Sequence, residues 1–248
     1  MNPHEQASIL ERADGTFGVT WISKVSSDTS MVKTRSFPNQ EEAEAFAYAE
    51  GLEPAGPEMA LAFAQQSKGE GRAAAEAGKS EEAEEILQSG LRIAPDDPDL
   101  HRLLGVVYAG QGRSEAATEE FEAAVRFNPD DGDALYNLGV MYKELGQEQR
   151  AIGAFRKAIR VNPDHPHAHG SLGRIYAIKG LLDEALEQFE ACLRIDPSDG
   201  SARLGKGLIL KSQGHAAEAM KEFTEILRAN PHNPDLQRRV RLAAGMGG

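Results

Sequence analysis

The chain has 248 residues, 40% hydrophobic and 27% charged, with a formal net charge of −12, the composition of an acidic globular protein without the basic footprint that nucleic acid or an anionic membrane surface requires. Its single cysteine, Cys192, excludes an intramolecular disulfide. No stretch reaches the roughly 18 apolar residues of a membrane helix, and MNPHEQASILERADG lacks the apolar core of a secretory signal, so the expected location is the cytoplasm.

Residues 1–57 form the first segment. TFGVTWISKV (16–25) and MVKTRSF (31–37) alternate apolar with other residues, as half-buried strands do, with SSDTS as the turn between them. PNQEEAEAFAYAEG (38–51) reads as a helix capped by Asn39, with Ala43, Phe46 and Ala47 on one face and Glu41, Glu42 and Glu44 at its positive end. The expectation is a small two- or three-stranded sheet with one helix packed on it and Trp21 in its core. GLEPAGPE (51–58) is a linker candidate. The module is expected to cap the start of the longer C-terminal segment, with a separate binding module as the alternative.

The remainder, 58–248, is periodic. Prolines fall at 95, 129, 163, 197 and 231, a period of 34 residues. Gly71, Gly105, Gly139, Gly173 and Gly207 keep that phase, as do Gly78, Gly112, Gly146, Gly180 and Gly214. So do Ala83, Ala117, Ala151, Ala185 and Ala219, followed four positions later by Leu87, Phe121, Phe155, Phe189 and Phe223. The second glycine series separates two apolar-periodic stretches and predicts a left-handed helix C-terminus at the turn of a helical hairpin. The first sits mid-helix, where glycine costs about 1 kcal/mol relative to alanine. Its recurrence implies an approach too close for a side chain. The alanines are the small partners on the second helix, the aromatics the large knobs, and the prolines end each unit.

This pattern resembles the tetratricopeptide repeat (TPR) family, most clearly in LLGVVY…A…F…NP (103–129) and NLGVMY…A…F…NP (137–163). The resemblance implies a mostly α protein: a right-handed α-α superhelix with repeats at 64–97, 98–131, 132–165, 166–199 and 200–233, a capping helix at 234–245, and the small N-terminal α+β module. Repeat 5 departs from the pattern with Lys206 and Leu210, and repeat 1 with Glu70 and Ala74, as suits terminal units with an unpaired face. Cys192 reads as a buried small hydrophobe rather than a reactive thiol.

No phosphate loop, nucleophile elbow, HExxH or zinc-type Cys–His spacing occurs, so no enzyme activity and no cofactor is expected. The cluster His165, His167 and His169 raises a metal-responsive binder as an alternative. In register, however, His165 replaces Asp97, Asp131 and Asp199, and His167 replaces Asp99 and Asp133. A helix start, with its dipole favouring neutral imidazole, is the preferred reading. His169 matches His101, which has no cluster, so no metal site is assigned.

In the TPR family the first helix of each hairpin lines the concave groove. Here the first-helix segments sum to a formal +4 and the second-helix segments to −7. A neutral-to-basic groove on an acidic protein suits an acidic or carboxylate-bearing peptide segment of another protein. The resemblance places Lys68, Arg72, Arg102, Asn137, Lys143, His167, Ser171 and Arg174 in that groove. Asn137 matches the carboxylate clamp by which one TPR branch holds chaperone tails, but Val106 and Ser171 depart from it, so that specificity is not carried over. The segment EQRAIGAFRKAIRV is the one basic second helix, with Arg150, Arg156, Lys157 and Arg160. It raises self-association against acidic outer faces as a further alternative, giving a homo-oligomeric scaffold.

Overall fold

A computed structural model describes residues 6–11, 17–24, 30–38, 42, 53–54, 57–229 and 232–245. The chain divides into two compact units, Met1–Asn128 and Pro129–Gly248, a division between the second and third repeats. Among the described residues no helix is long and apolar enough to cross a membrane.

The first unit begins with a four-stranded sheet of order β3-β2-β1-β4. Strands β1 (Gln6–Glu11), β2 (Phe17–Lys24) and β3 (Ser30–Phe37) form an antiparallel meander, and β4 (Glu53–Pro54) adds in parallel to β1. The β2–β3 register sets Phe17 opposite Phe37 and Ile22 opposite Val32. Strand β1 was not legible: QASILE carries only a short apolar alternation. Within 51–58, Glu53–Pro54 are paired and Pro57 already starts a helix. The helix expected over 38–51 and the side chain of Trp21 lie outside the described residues. Two helical hairpins come next. They are α1 (Pro57–Glu76) with α2 (Ser80–Ile93), and α3 (Pro98–Gly110) with α4 (Ser114–Phe127). Helix α1 starts at Pro57, well before the repeat boundary at 64, because proline suits a first helical position.

The second unit has three hairpins and a closing helix. They are α5 (Gly132–Glu144) with α6 (Glu148–Val161), α7 (Pro166–Ile178) with α8 (Leu182–Ile195), and α9 (Gly200–Ser212) with α10 (Ala216–Ala229), then α11 (Pro234–Ala244). Helix α11 is the last element of the unit. It buries Leu236 and Val240 against Leu204, Leu210, Phe223 and Ile226, closing the last repeat's apolar face.

Several first helices touch the next first helix of their unit: α1 meets α3, α7 meets α9, and α9 meets α11. Second helices make no comparable contact with each other among the described residues. The first helices therefore form the inner side of each stack.

Each repeated residue has a visible task. Gly78, Gly112, Gly146, Gly180 and Gly214 hold φ between 71° and 86°, the left-handed turn that only glycine adopts cheaply. The mid-helix glycines face the large knob of their own hairpin. A Cβ on Gly139 would stand 2.6 Å from the Phe155 ring, and one on Gly105 2.8 Å from Phe121. Phe121, Phe155, Phe189 and Phe223 are among the most deeply buried side chains, and the five phased alanines are fully enclosed.

Candidate functional site

All eight groove candidates lie on first helices, but their surroundings divide them. In the first unit, Lys68 on α1 is held by Asp97 at 2.9 Å and Asp99 at 3.2 Å. Burial works against its charge, yet the hydrogen bonds to Asp97 and Asp99 and the field of both carboxylates outweigh it, raising its pKa. Arg102 reaches Asp99 at 3.2 Å. Asp97 also caps α3, its Oδ1 accepting from the Asp99 and Leu100 amides. Lys68 thus fastens α1 to α3 through two acids, while Arg102 pairs with Asp99 within α3. Arg72 is exposed.

In the second unit the candidates are less committed. Lys143 on α5 and Arg174 on α7 are exposed, and Arg174 donates to the buried Ser171 hydroxyl at 3.0 Å. Neither cation is ion-paired with an acid among the described residues. Asn137 is half-buried on α5. His167 is exposed, its ring 5.9 Å from that of Tyr136 and 6.2 Å from that of His165.

His165 and His169 have separate structural tasks, and His167 is exposed. His165 is the N-cap of α7, and its Nδ1 accepts from the Ala168 amide at 3.2 Å. Accepting there requires that the proton of the neutral ring sit on Nε2. Nε2 lies 3.3 Å from an Asp133 oxygen, inside ion-pair range but out of line for a hydrogen bond. Burial leads the downward shift of the His165 pKa, against the pull of Asp133, with His167 adding to it. The buried Nε2 thus carries the proton of the neutral ring, which opposes metal ligation. His169 points elsewhere, toward Gln188 and the Pro163 carbonyl. Among the described residues no three His, Cys, Asp or Glu side chains converge as metal ligands.

His169 belongs to a device that the sequence reading missed. His101 bridges Glu120 at 2.6 Å and the Pro95 carbonyl at 2.8 Å. His169 bridges Gln188 at 2.8 Å and the Pro163 carbonyl at 3.0 Å. Arg203 donates to Glu222 at 2.9 Å and to the Pro197 carbonyl at 2.6 Å. One first-helix residue thus ties the preceding proline turn to the second helix of its own hairpin. On His101, the Glu120 carboxylate and the Pro95 carbonyl together favour the imidazolium. Although burial opposes the charge on His101, Glu120 and Pro95 prevail and raise its pKa.

Two further residues are explained by their partners. Cys192 is buried, its Sγ 3.5 Å from an Asp199 oxygen. Burial and then Asp199 push the thiol up to about 12, which makes it inert. Lys206, the departure in repeat 5, pairs with Glu190 at 3.1 Å and Glu222 at 3.4 Å. On the basic helix α6, Arg150 stacks 4.0 Å over the Tyr142 ring and donates to its hydroxyl, while Arg156 donates to the Tyr176 hydroxyl. Two of the four cations expected to face another molecule are engaged inside the unit.

Tetratricopeptide repeat family models match residues 71–136, 136–200 and 176–241. No curated protein matches the chain significantly. Among solved structures, the MamA protein is 25% identical with a TM-score of 0.60, covering 68% of this chain and 92% of MamA. Pseudomonas aeruginosa pilF is 20% identical with a TM-score of 0.67, covering 75% of this chain and 86% of its own. YrrB, a TPR protein with an unusual peptide-binding site, is 23% identical with a TM-score of 0.56, covering 68% of this chain and 87% of YrrB. With family matches running from 71 to 241 over the hairpins, turn glycines and aromatic knobs described above, this chain belongs to the tetratricopeptide repeat family.

Proposed function

We propose that the protein is a non-enzymatic adaptor that holds an acidic, carboxylate-bearing segment of a partner protein on the first-helix face of its second unit. One contrast carries this reading. Lys68 is neutralised by Asp97 and Asp99, whereas Arg174 and Lys143 are exposed without an acidic partner among the described residues. Exposed cations without an acidic partner on the first-helix face favour a carboxylate through charge-assisted hydrogen bonds. YrrB supplies a precedent, within the fold, for a peptide-binding site. The chaperone-tail specificity is not adopted, because exposed Val106 and buried Ser171 stand at the clamp's polar positions.

The test compares partners captured from native lysate by the wild-type chain and by an Asn137/Lys143/Arg174→Ala variant, both read by mass spectrometry. A protein retained by the wild type and lost from the variant, with an acidic segment that binds in isolation, is the expected result. Identical partners on both proteins would show that this face does not recognise them.

A further inference from the structure

The first-helix face of the second unit carries more than charge. At one repeat phase, 34 residues apart, stand Val140 on α5, Arg174 on α7, Leu208 on α9 and Leu242 on α11. Leu208 is 46% exposed and Leu242 70% exposed, while Val140 is half-buried. Large apolar side chains left open at a repeated inner position are unusual in a surface that needs only solubility. Helices α9 and α11 are drawn together where the Lys211 ammonium donates to the Ala243 carbonyl. That bond lies one turn beyond Leu208 and next to Leu242. Ile178, 83% exposed, extends the apolar surface at the end of α7, one turn after Arg174.

Resting on the acidic-segment reading above, we infer that the ligand is an extended amphipathic segment whose carboxylate meets Arg174 and whose large apolar side chains cover Val140 on one side and Leu208 and Leu242 on the other. Charge complementarity sets the acid, since Arg174 and Lys143 are exposed cations on this face. The amide of Asn137, half-buried and without a hydrogen bond among the described residues, suits a backbone with open N–H and C=O groups. An extended chain has such groups and a helix does not. Neighbouring helix axes lie about 8–10 Å apart, and an extended chain advances about 3.3 Å per residue. The anchors should therefore recur roughly every third residue, in the order apolar, acid, apolar, apolar, over about nine or ten residues. An anionic lipid surface is the poorer occupant, because exposed Asp133, Glu144 and Asp235 share these helices and would face it.

The test is selection of a phage-displayed random 12-residue peptide library on the full wild-type chain. Fluorescence anisotropy of the selected peptides is then measured on Leu208→Ser/Leu242→Ser and Arg174→Glu variants. Both leucines are exposed, so unchanged urea midpoints are expected and would establish that the variants fold. The expected consensus is an acid flanked by large apolar residues at three-residue spacing, weakened tenfold or more by the leucine pair and inverted in charge preference by Arg174→Glu. An acidic consensus indifferent to apolar residues, with binding unchanged on the leucine variant, overturns this inference and leaves the acidic-segment reading standing. Failure to enrich any acidic peptide overturns both. Co-sedimentation with phosphatidylglycerol vesicles that depends on Leu208 and Leu242, without peptide enrichment, would assign the face to a membrane instead.

Discussion

Gly139 and Gly153 lie on the two helices of one hairpin and should respond oppositely to the same substitution. In each case alanine removes a glycine from a helix interior, a gain of about 0.8–1 kcal/mol. At Gly153 on α6 the added methyl meets nothing within 4 Å, so the whole gain should appear as stability. At Gly139 on α5 the methyl would stand 2.6 Å from Phe155 Cε1, 2.7 Å from Cδ1 and 3.0 Å from Cζ. Phe155 is fully buried, so its ring can yield only by displacing other core groups. Overpacking of that kind costs about 1–3 kcal/mol. The net effect of Gly139→Ala is a loss on the order of 1 kcal/mol, against a comparable gain for Gly153→Ala. Urea denaturation monitored by circular dichroism reads both, with midpoints compared at unchanged slope. A Gly139→Ala protein as stable as Gly153→Ala would show that the close approach does not explain the glycine series.

The two perturbed histidines should act at opposite ends of the pH scale. His101 has a raised pKa, so its contribution is whole below about 6.5 and is lost as pH rises through that value to the higher folded pKa. His165 has a lowered pKa, so its contribution is whole above about 6.5 and is lost as pH falls toward the lower folded pKa, when Nδ1 gains a proton and the cap bond to Ala168 breaks. Urea midpoints from about pH 5 to 8 should show His101→Gln losing the alkaline slope and His165→Asn the acid slope, and slopes unchanged by either substitution would refute the assignments. Cys192 should resist iodoacetamide at about pH 8 in the folded protein and react in urea, as mass spectrometry would show; fast labelling of the native chain would contradict its raised pKa. Equilibrium dialysis should detect no zinc uptake that depends on His165 and His167, since the buried Nε2 of His165 carries the proton in the neutral ring; uptake abolished by His165→Asn would overturn that tautomer.

Most of the repeat fold was legible because each recurring residue answers to a local constraint. A left-handed turn admits Gly112 or Gly146 and little else. A ring pressed on a helix backbone likewise demands Gly105 or Gly139 opposite. The site was read less well, and Lys68 shows why. Phase put it on the inner helix correctly, but whether its charge is available depends on Asp97 and Asp99, which are 29 and 31 residues away along the chain. Summed charge per helix cannot separate an engaged lysine from an open one such as Lys143. The same blindness hid the apolar half of the surface. Val140, Leu208 and Leu242 looked like ordinary helix residues until their exposure was known.

The bridge from the proline turn to the second helix was legible and went unread. His101, His169 and Arg203 occupy one phase, and their partners Glu120, Gln188 and Glu222 each lie 19 residues later. In repeat 3 the same two positions hold Leu135 and Ala154, both buried, and in repeat 1 they hold Ser67 and Ile86. In repeats 2, 4 and 5 a donor occurs with an acceptor, in repeat 3 leucine occurs with alanine, and repeat 1 departs with Ser67 opposite Ile86. Losing one partner alone would leave the other without its hydrogen bond in a part-buried place. Five copies in one chain thus serve as a small internal alignment, in which paired substitution reveals a contact before any coordinates do. The histidine at 169 then ceases to be part of a triplet. Its companions are His101 and Arg203, two periods before it and one after, rather than its neighbours in sequence.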